Sequence, residues 1–234
     1  MTDRTVVVVG GTSGIGRKLA VSLVARGDRV ILSGRDAGRA AAVAAEIGDR
    51  ATGIALDISE PEGIAGQLAE VGDVHGLVLA AVERDANTAR NYDIARARRL
   101  VTLKLIGYTE TVHALVGRLV ETRDTGIVLF GGRAKDAPYP GSTTVSTINA
   151  GVDGLTRTLA LELAPMRVNA IHPGIIGDSP FWAEKDAALS AYSSRTPGGE
   201  LATMRDIVDA TTFLLDNRGV SGTSLDVDRG WRLT

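Results

Sequence analysis

Val6-Val7-Val8-Val9-Gly10-Gly11-Thr12-Ser13-Gly14-Ile15-Gly16 is the stretch that decides the fold. Four apolar β-branched residues in a row suit a parallel strand covered on both faces, and a helical pattern from Lys18 to Ala25 follows the glycines. Glycine at a strand-to-helix turn permits a tight bend and lets the main chain approach a pyrophosphate at the positive end of the helix. The glycines stand at positions 10, 14 and 16, a G-x-x-x-G-x-G spacing distinct from the G-x-G-x-x-G fingerprint. The stretch reads as a phosphate cradle, with a plain tight turn as the structural alternative.

Outward from this cradle, strand-like runs at Val6 to Val9, Arg29 to Ser33, Thr52 to Leu56, Gly76 to Ala81, Gly126 to Phe130, Arg167 to Ile171 and Ser224 to Val227 alternate with helical patterns. Such alternation implies right-handed crossovers. The expected class is α/β: a Rossmann-type doubly wound sandwich, a mostly parallel seven-stranded sheet with helices on both faces. The breaks at Pro138 to Gly141 and around Gly174 to Pro180 follow strands, where doubly wound folds bind ligands.

With 234 residues and 44% hydrophobic content, the chain has the size of a single large domain over residues 1–234. A substrate lid is expected around residues 178–200. A net charge of −2 supplies no basic face for nucleic acid, so no nucleic-acid partner is expected. No apolar stretch approaches the ~20 residues that cross a bilayer, which argues against a membrane partner. Met1-Thr2-Asp3-Arg4 runs straight into a strand, leaving no room for a signal peptide, and the chain has no cysteine for disulfides or thiolate chemistry. A cytoplasmic protein is expected. His75, His113 and His172 show no ligand spacing, so no metal site is expected.

Several landmarks agree in order and spacing with one family. After the glycine turn come Asp57-Ile58, then Gly154-Leu155-Thr156-Arg157-Thr158-Leu159-Ala160-Leu161-Glu162 on a long helix, and Arg167-Val168-Asn169-Ala170-Ile171-His172-Pro173-Gly174. The ending, Ser221-Gly222-Thr223-Ser224-Leu225-Asp226-Val227-Asp228-Arg229-Gly230, is similar as well. Over nearly its whole length the sequence resembles a classical-type short-chain dehydrogenase/reductase. The resemblance implies a nicotinamide cofactor held by Gly10, Thr12, Ser13, Gly14, Ile15, Gly16, Ser33, Arg35, Asp57, Ile58, Ala80, Ala81, Pro173, Gly174, Ile176 and Ser179. It also implies a homodimer or homotetramer built on the long helices.

Cofactor choice rests on the end of the second strand, Val30-Ile31-Leu32-Ser33-Gly34-Arg35. An acidic residue there accepts hydrogen bonds from a ribose 2′-hydroxyl, whereas an arginine and a serine hydroxyl favour a 2′-phosphate. Gly34 stands where NAD-preferring relatives carry aspartate and Arg35 follows, so NADP(H) is expected ahead of NAD(H). The alternative is an exposed Arg35 paired with Asp36.

The family's serine, tyrosine and lysine align here with Gly132, Val145 and Asn149. None retains that chemistry: glycine and valine have no proton to give, and asparagine supplies no cation to lower a tyrosine pKa. The family's active-site asparagine aligns with Lys104, so asparagine and lysine are exchanged between two helices. Lys104 is then expected to place an ammonium near the nicotinamide ribose with Asn149 as its polar partner, or to snorkel from an interface helix. Tyr139 and Ser142 are further candidates for donating to a carbonyl, Tyr139 equally as a structural contact. Asp178 replaces a threonine that caps the following helix and touches the cofactor; an aspartate can still cap that helix, and Ser179 takes the cofactor contact. His172 reads as packed or solvated.

The expected function is an NADP(H)-dependent oxidoreductase with a non-standard site, acting on an activated carbonyl, quinone-like, iminium or conjugated acceptor. Phe181 and Trp182 point to an apolar or ring-containing small-molecule substrate. Alternatives are a catalytically silent NADP(H)-binding sensor or partner subunit, and a non-redox cyclase, isomerase or lyase that keeps the cofactor.

Overall fold

Seven strands, β1 (Thr5–Val9), β2 (Arg29–Gly34), β3 (Ala51–Ala55), β4 (Gly76–Leu79), β5 (Gly126–Phe130), β6 (Arg167–Pro173) and β7 (Ser224–Val227), form one sheet in the order β3-β2-β1-β4-β5-β6-β7. The computed structural model describes residues 4–233. Every neighbouring pair is parallel, so the expected fold class holds with no antiparallel strand among the described residues. Strand order reverses between β1 and β4, which places a crevice at their carboxyl ends.

Two-residue periodicity divides the core. Val7 and Val9 join Leu77, Leu79, Ile127 and Leu129 on one face. Val6 and Val8 join Val30, Leu32, Val78 and Val128 on the other. Helices α1 (Gly14–Ala25), α2 (Ala37–Ile47) and α8 (Met204–Asp216) cover the second face. The short α3 (Ile64–Gln67), with α5 (Gly107–Leu115) and α6 (Thr143–Glu162), covers the first.

Strand ends differ slightly from expectation. β4 stops at Leu79, although Ala80 still donates its N–H to Val9 O. β6 continues to Pro173 because β7 pairs with it from Ala170↔Ser224 to Pro173↔Val227.

One helical run is interrupted where the site lies. Helix α4 (Ile94–Val101) passes into α5 through a π-helical turn, Thr102–Ile106, in which the Gly107 N–H reaches back to Thr102 O. A Cβ on Gly107 would stand 2.0 Å from Ile58 O, so only glycine lets this helix press against the Asp57-Ile58 loop. The segment after β6 contains short 3-10 turns at Pro180–Trp182 and Pro197–Gly199 around helix α7 (Asp186–Ser193).

Candidate active site

The glycine turn builds an open helix end. Gly10 and Gly14 take left-handed φ values of 85° and 53°. A Cβ on Gly16 would lie 2.3 Å from Gly10 O. Ser13 precedes α1 without a side-chain capping bond, and the first turn holds no acidic residue, so its N–H groups remain available to an anion. Thr12 lies directly over Gly34, whose Cβ would meet Thr12 Cγ2 at 2.6 Å. Ala81 closes the other side, 2.8 Å from a Cβ on Gly10, while Ile15 packs against the α1 core. These groups fit a dinucleotide pyrophosphate: Gly10 and Gly16 let the backbone close into the turn, and a Cβ on Gly14 would meet nothing within 4 Å, so the helix end stays open.

At the end of β2 the expectations separate. Arg35 stays two-thirds exposed, and its guanidinium lies 3.2 Å from Glu83. It does not pair with Asp36, whose carboxylate accepts the Arg39 N–H and caps α2. Ser33 is a correction: it is fully buried with an unpartnered hydroxyl, so it presents nothing to a ribose phosphate. Glu83, unnoticed in the sequence, gathers Arg35, Arg96 and Arg99, and the Arg99 hydrogen bonds hold its carboxyl below the ordinary range. Asp57 accepts from Ser59 N and Oγ; burial alone would raise its pKa, but these bonds and Arg99 bring it down. Ile58 is buried beneath α5.

Beyond β6, Gly174 donates to Val227 O, and its Cα packs so close to Asp228 that a Cβ would be 2.7 Å away. Pro173 ends β6, Ile176 is buried and bridges to Ala202, and Ser179 donates its N–H to Ile176 O. Asp178 corrects the capping expectation. Its carboxylate accepts the Met204 N–H at the start of α8, not a donor of the following turn, and lies 3.7 Å from Lys18 of α1.

The centre of the site lies between β5, α6 and the π-helical turn. Asn149 and Val145 stand one turn apart on α6, and Gly132 follows β5. Lys104 is 2% exposed, and burial lowers its pKa to about 7. Among the described residues its amine has no hydrogen-bond or carboxylate partner; the Tyr108 ring lies 5.3 Å from Nζ. The expected Lys104 and Asn149 pairing is not formed. Asn149 turns toward Gly132, where a Cβ would stand 2.8 Å from Nδ2, because glycine leaves that space. Tyr108, which sequence reading missed, is fully buried and donates its hydroxyl to Ala81 O, 3.1 Å away, with Phe130 O at 3.3 Å.

Ser142 is also corrected. Its hydroxyl accepts from Tyr139 N, donates to Tyr139 O and meets Ser146, so it clamps a turn and has no free donor for a substrate carbonyl. Tyr139 remains half exposed between its prolines; burial raises its pKa against the opposing charge of Arg84.

Beneath Gly132 lies a buried charged cluster. His172 is fully buried, so its packed reading holds. Its Nδ1 accepts the Gly132 N–H at 3.1 Å, and Nε2 lies 2.7 Å from Asp153 Oδ1, close but out of line for a hydrogen bond. Burial lowers the His172 pKa, with Asp153 opposing. Arg133 is surrounded by Asp136, Asp226 and Asp228, while Lys135 pairs with Asp136 and Asp153. Apart from those to Asp136, these contacts join residues far apart in the chain, which no local motif discloses.

Over the crevice, Phe181, Trp182, Tyr192 and Trp231 form a file of edge-to-face rings with centroids 4.8, 5.7 and 6.2 Å apart. Among the described residues no group of three or more His, Asp or Glu side chains is arranged to hold a metal, and no helix is long and apolar enough to cross a membrane.

The short chain dehydrogenase family model matches residues 4–189. The 3-oxoacyl-acyl-carrier-protein reductase FabG of Haemophilus influenzae is 29% identical over the full length of both chains. A second relative, the (2S)-(R)-hydroxy(phenyl)methylsuccinyl-CoA dehydrogenase subunit BbsD of Thauera aromatica, is 31% identical over 92% of this chain and 90% of its own. Among solved structures, a short-chain dehydrogenase/reductase (glucose/ribitol dehydrogenase) from Brucella melitensis superposes with a TM-score of 0.90 at 26% identity, covering 97% of this chain and 96% of that one. This chain belongs to the short-chain dehydrogenase family.

Proposed function

We propose that this protein is an NADP(H)-dependent oxidoreductase that works without a Ser-Tyr-Lys triad, on an activated carbonyl, quinone-like, iminium or conjugated acceptor. The observation that carries the reading is Lys104: a buried amine without a protein partner, poised near neutrality, on the helix that borders Ala81 and the glycine cradle. A buried cation without a partner is costly to keep unless the site uses it.

The cradle residues Gly10, Thr12, Ser13, Gly14, Ile15 and Gly16 hold the pyrophosphate, and Asp57 with Ile58 borders the adenine. Ala80 and Ala81 form the floor, and Pro173, Gly174, Ile176 and Ser179 border the nicotinamide. Arg35 receives the 2′-phosphate that distinguishes NADP(H), in exchange for Glu83. When bound, the cofactor supplies or accepts a hydride. Lys104, half protonated near pH 7, gives its proton to the substrate oxygen or nitrogen and recovers one from water. Losing a positioned tyrosine acid costs roughly 10²–10⁴-fold in rate, so acceptors that take a hydride before a proton are favoured.

We place the whole chain in one domain, with residues 178–200 as a substrate lid, and infer a cytoplasmic homodimer or homotetramer. The reductases among its relatives support the direction of the reading. Gly132 and Val145 favour one other reading, a silent NADP(H)-binding sensor or partner subunit. Titration of NADPH fluorescence, followed by consumption with quinones, enones, iminium compounds and simple ketones, separates the two. Turnover on activated acceptors that is lost in Lys104→Met is expected; binding without turnover on any of them would overturn the enzyme reading.

A further inference from the structure

Two cations at the crevice sit between acids in sequence, in Glu83-Arg84-Asp85 and Glu184-Lys185-Asp186. Neither pairs with its neighbours. Glu83 is occupied by Arg35, Arg96 and Arg99. Asp85 turns inward, and its Oδ1 accepts the N–H groups of Ala86 and Asn87.

Arg84 and Lys185 lie instead on one ring. Arg84 Cζ is 3.2 Å and Lys185 Nζ 3.3 Å from the centre of Phe181. Two cations so close to one ring centre occupy opposite faces. Among the described residues neither has a carboxylate partner; both are exposed, and Tyr139 stands beside Arg84. A π face offers a guanidinium no directional acceptor, whereas its planar fork is shaped for a bidentate oxyanion. Arg84 comes from the loop after β4 and Lys185 from the segment after β6, so the pair spans the crevice.

We propose that Arg84, assisted by Lys185, receives an oxyanion of the substrate, a carboxylate or a phosphate ester, while the substrate's apolar body lies along Phe181 and Trp182. This names the substrate class of the site proposed above and rests on that reading. The guanidinium gives two parallel N–H donors to the oxyanion, Lys185 adds a second positive charge across the ring, and the file of rings selects an apolar or aromatic remainder.

Binding is read by intrinsic tryptophan fluorescence with NADP⁺ present, using four probes that share one acyl group. They are 3-oxo-3-phenylpropanoate, its ethyl ester, its pantetheine thioester and its pantetheine 4′-phosphate thioester. One anionic probe is expected to bind about tenfold or more tightly than its neutral counterpart, and which one does so tells carboxylate from phosphate. Arg84→Gln should erase that preference, Lys185→Gln should weaken it, and Arg84→Lys should keep part of it. Neutral-probe affinity and NADPH affinity should stay within about twofold in all three variants. Equal affinities in the wild type, no binding of any probe, or a preference that survives Arg84→Gln would overturn the oxyanion site. Loss of NADPH binding or turnover beside an intact preference would instead remove the reductase reading alone.

Discussion

Asn149 Nδ2 lies where it would be 2.8 Å from a Cβ on Gly132, so the Asn149 amide occupies space that glycine at 132 leaves open. The two positions therefore act as a coupled pair. Gly132→Ser alone is expected to destabilise the fold by about 1 kcal/mol as it displaces a buried amide. In an Asn149→Ala background the same change should cost almost nothing. A double-mutant cycle by urea denaturation measures the coupling, and additive effects would contradict it.

Lys104 gives a pH-dependent stability. Burial lowers its pKa from 10.5 to about 7. Between those values the unfolded chain holds a proton that the folded chain has released, so stability rises with pH across that window. The penalty at neutral pH is on the order of 4 kcal/mol. Lys104→Met should therefore be more stable than wild type near pH 7, by a margin that shrinks as the pH approaches 10. As an acid, the same group predicts turnover that falls as pH rises through about 7. A stability difference that ignores pH would show that the amine keeps an ordinary pKa.

His172 works in the same direction at lower pH. Its pKa falls below 6.5, chiefly through burial and against the pull of Asp153. The folded state thus favours neutral imidazole, and the stability present above pH 6.5 is lost as the pH drops toward the depressed value. Protonation would also cost Nδ1 its bond from the Gly132 N–H. His172→Gln should flatten the loss of stability between about pH 7 and 5, followed by denaturation midpoints. An unchanged slope would assign the acid sensitivity to other groups.

The cradle was legible because each glycine there answers a local backbone demand, and the strands because their apolar runs and their parity are local too. Ser33 was misread because alternation does not disclose its burial: Arg29 and Ile31, of the same parity, are exposed and half-buried. Asp178 was misjudged because its partner lies on distant chain: Met204 is 26 residues away. Ser142 has local partners, Tyr139 and Ser146, and was misjudged because the turn that closes it onto them is not specified by the residue types alone. The His172 and Asp153 pair and the arginines around Glu83 share the dependence on distant chain. Their partners meet only when the sheet is assembled.

Gly34 and Arg35 make the cofactor expectation specific. Since a Cβ on Gly34 would stand 2.6 Å from Thr12 Cγ2, Gly34→Asp pushes on the cradle itself and should weaken NADPH and NADH together. Arg35 is exposed, with Glu83 3.2 Å from its guanidinium, so its replacement leaves the turn intact. Arg35→Asp removes a charge-assisted contact worth about 1.5–3 kcal/mol, which corresponds to a loss of roughly tenfold to hundredfold in NADPH affinity. The new carboxylate can accept a ribose hydroxyl, so NADH affinity should hold or rise. Titrating both nucleotides into both variants checks the pair of outcomes. If Arg35→Asp kept the wild-type preference for NADPH, the 2′-phosphate would have to be read by another residue of the β2 to α2 turn.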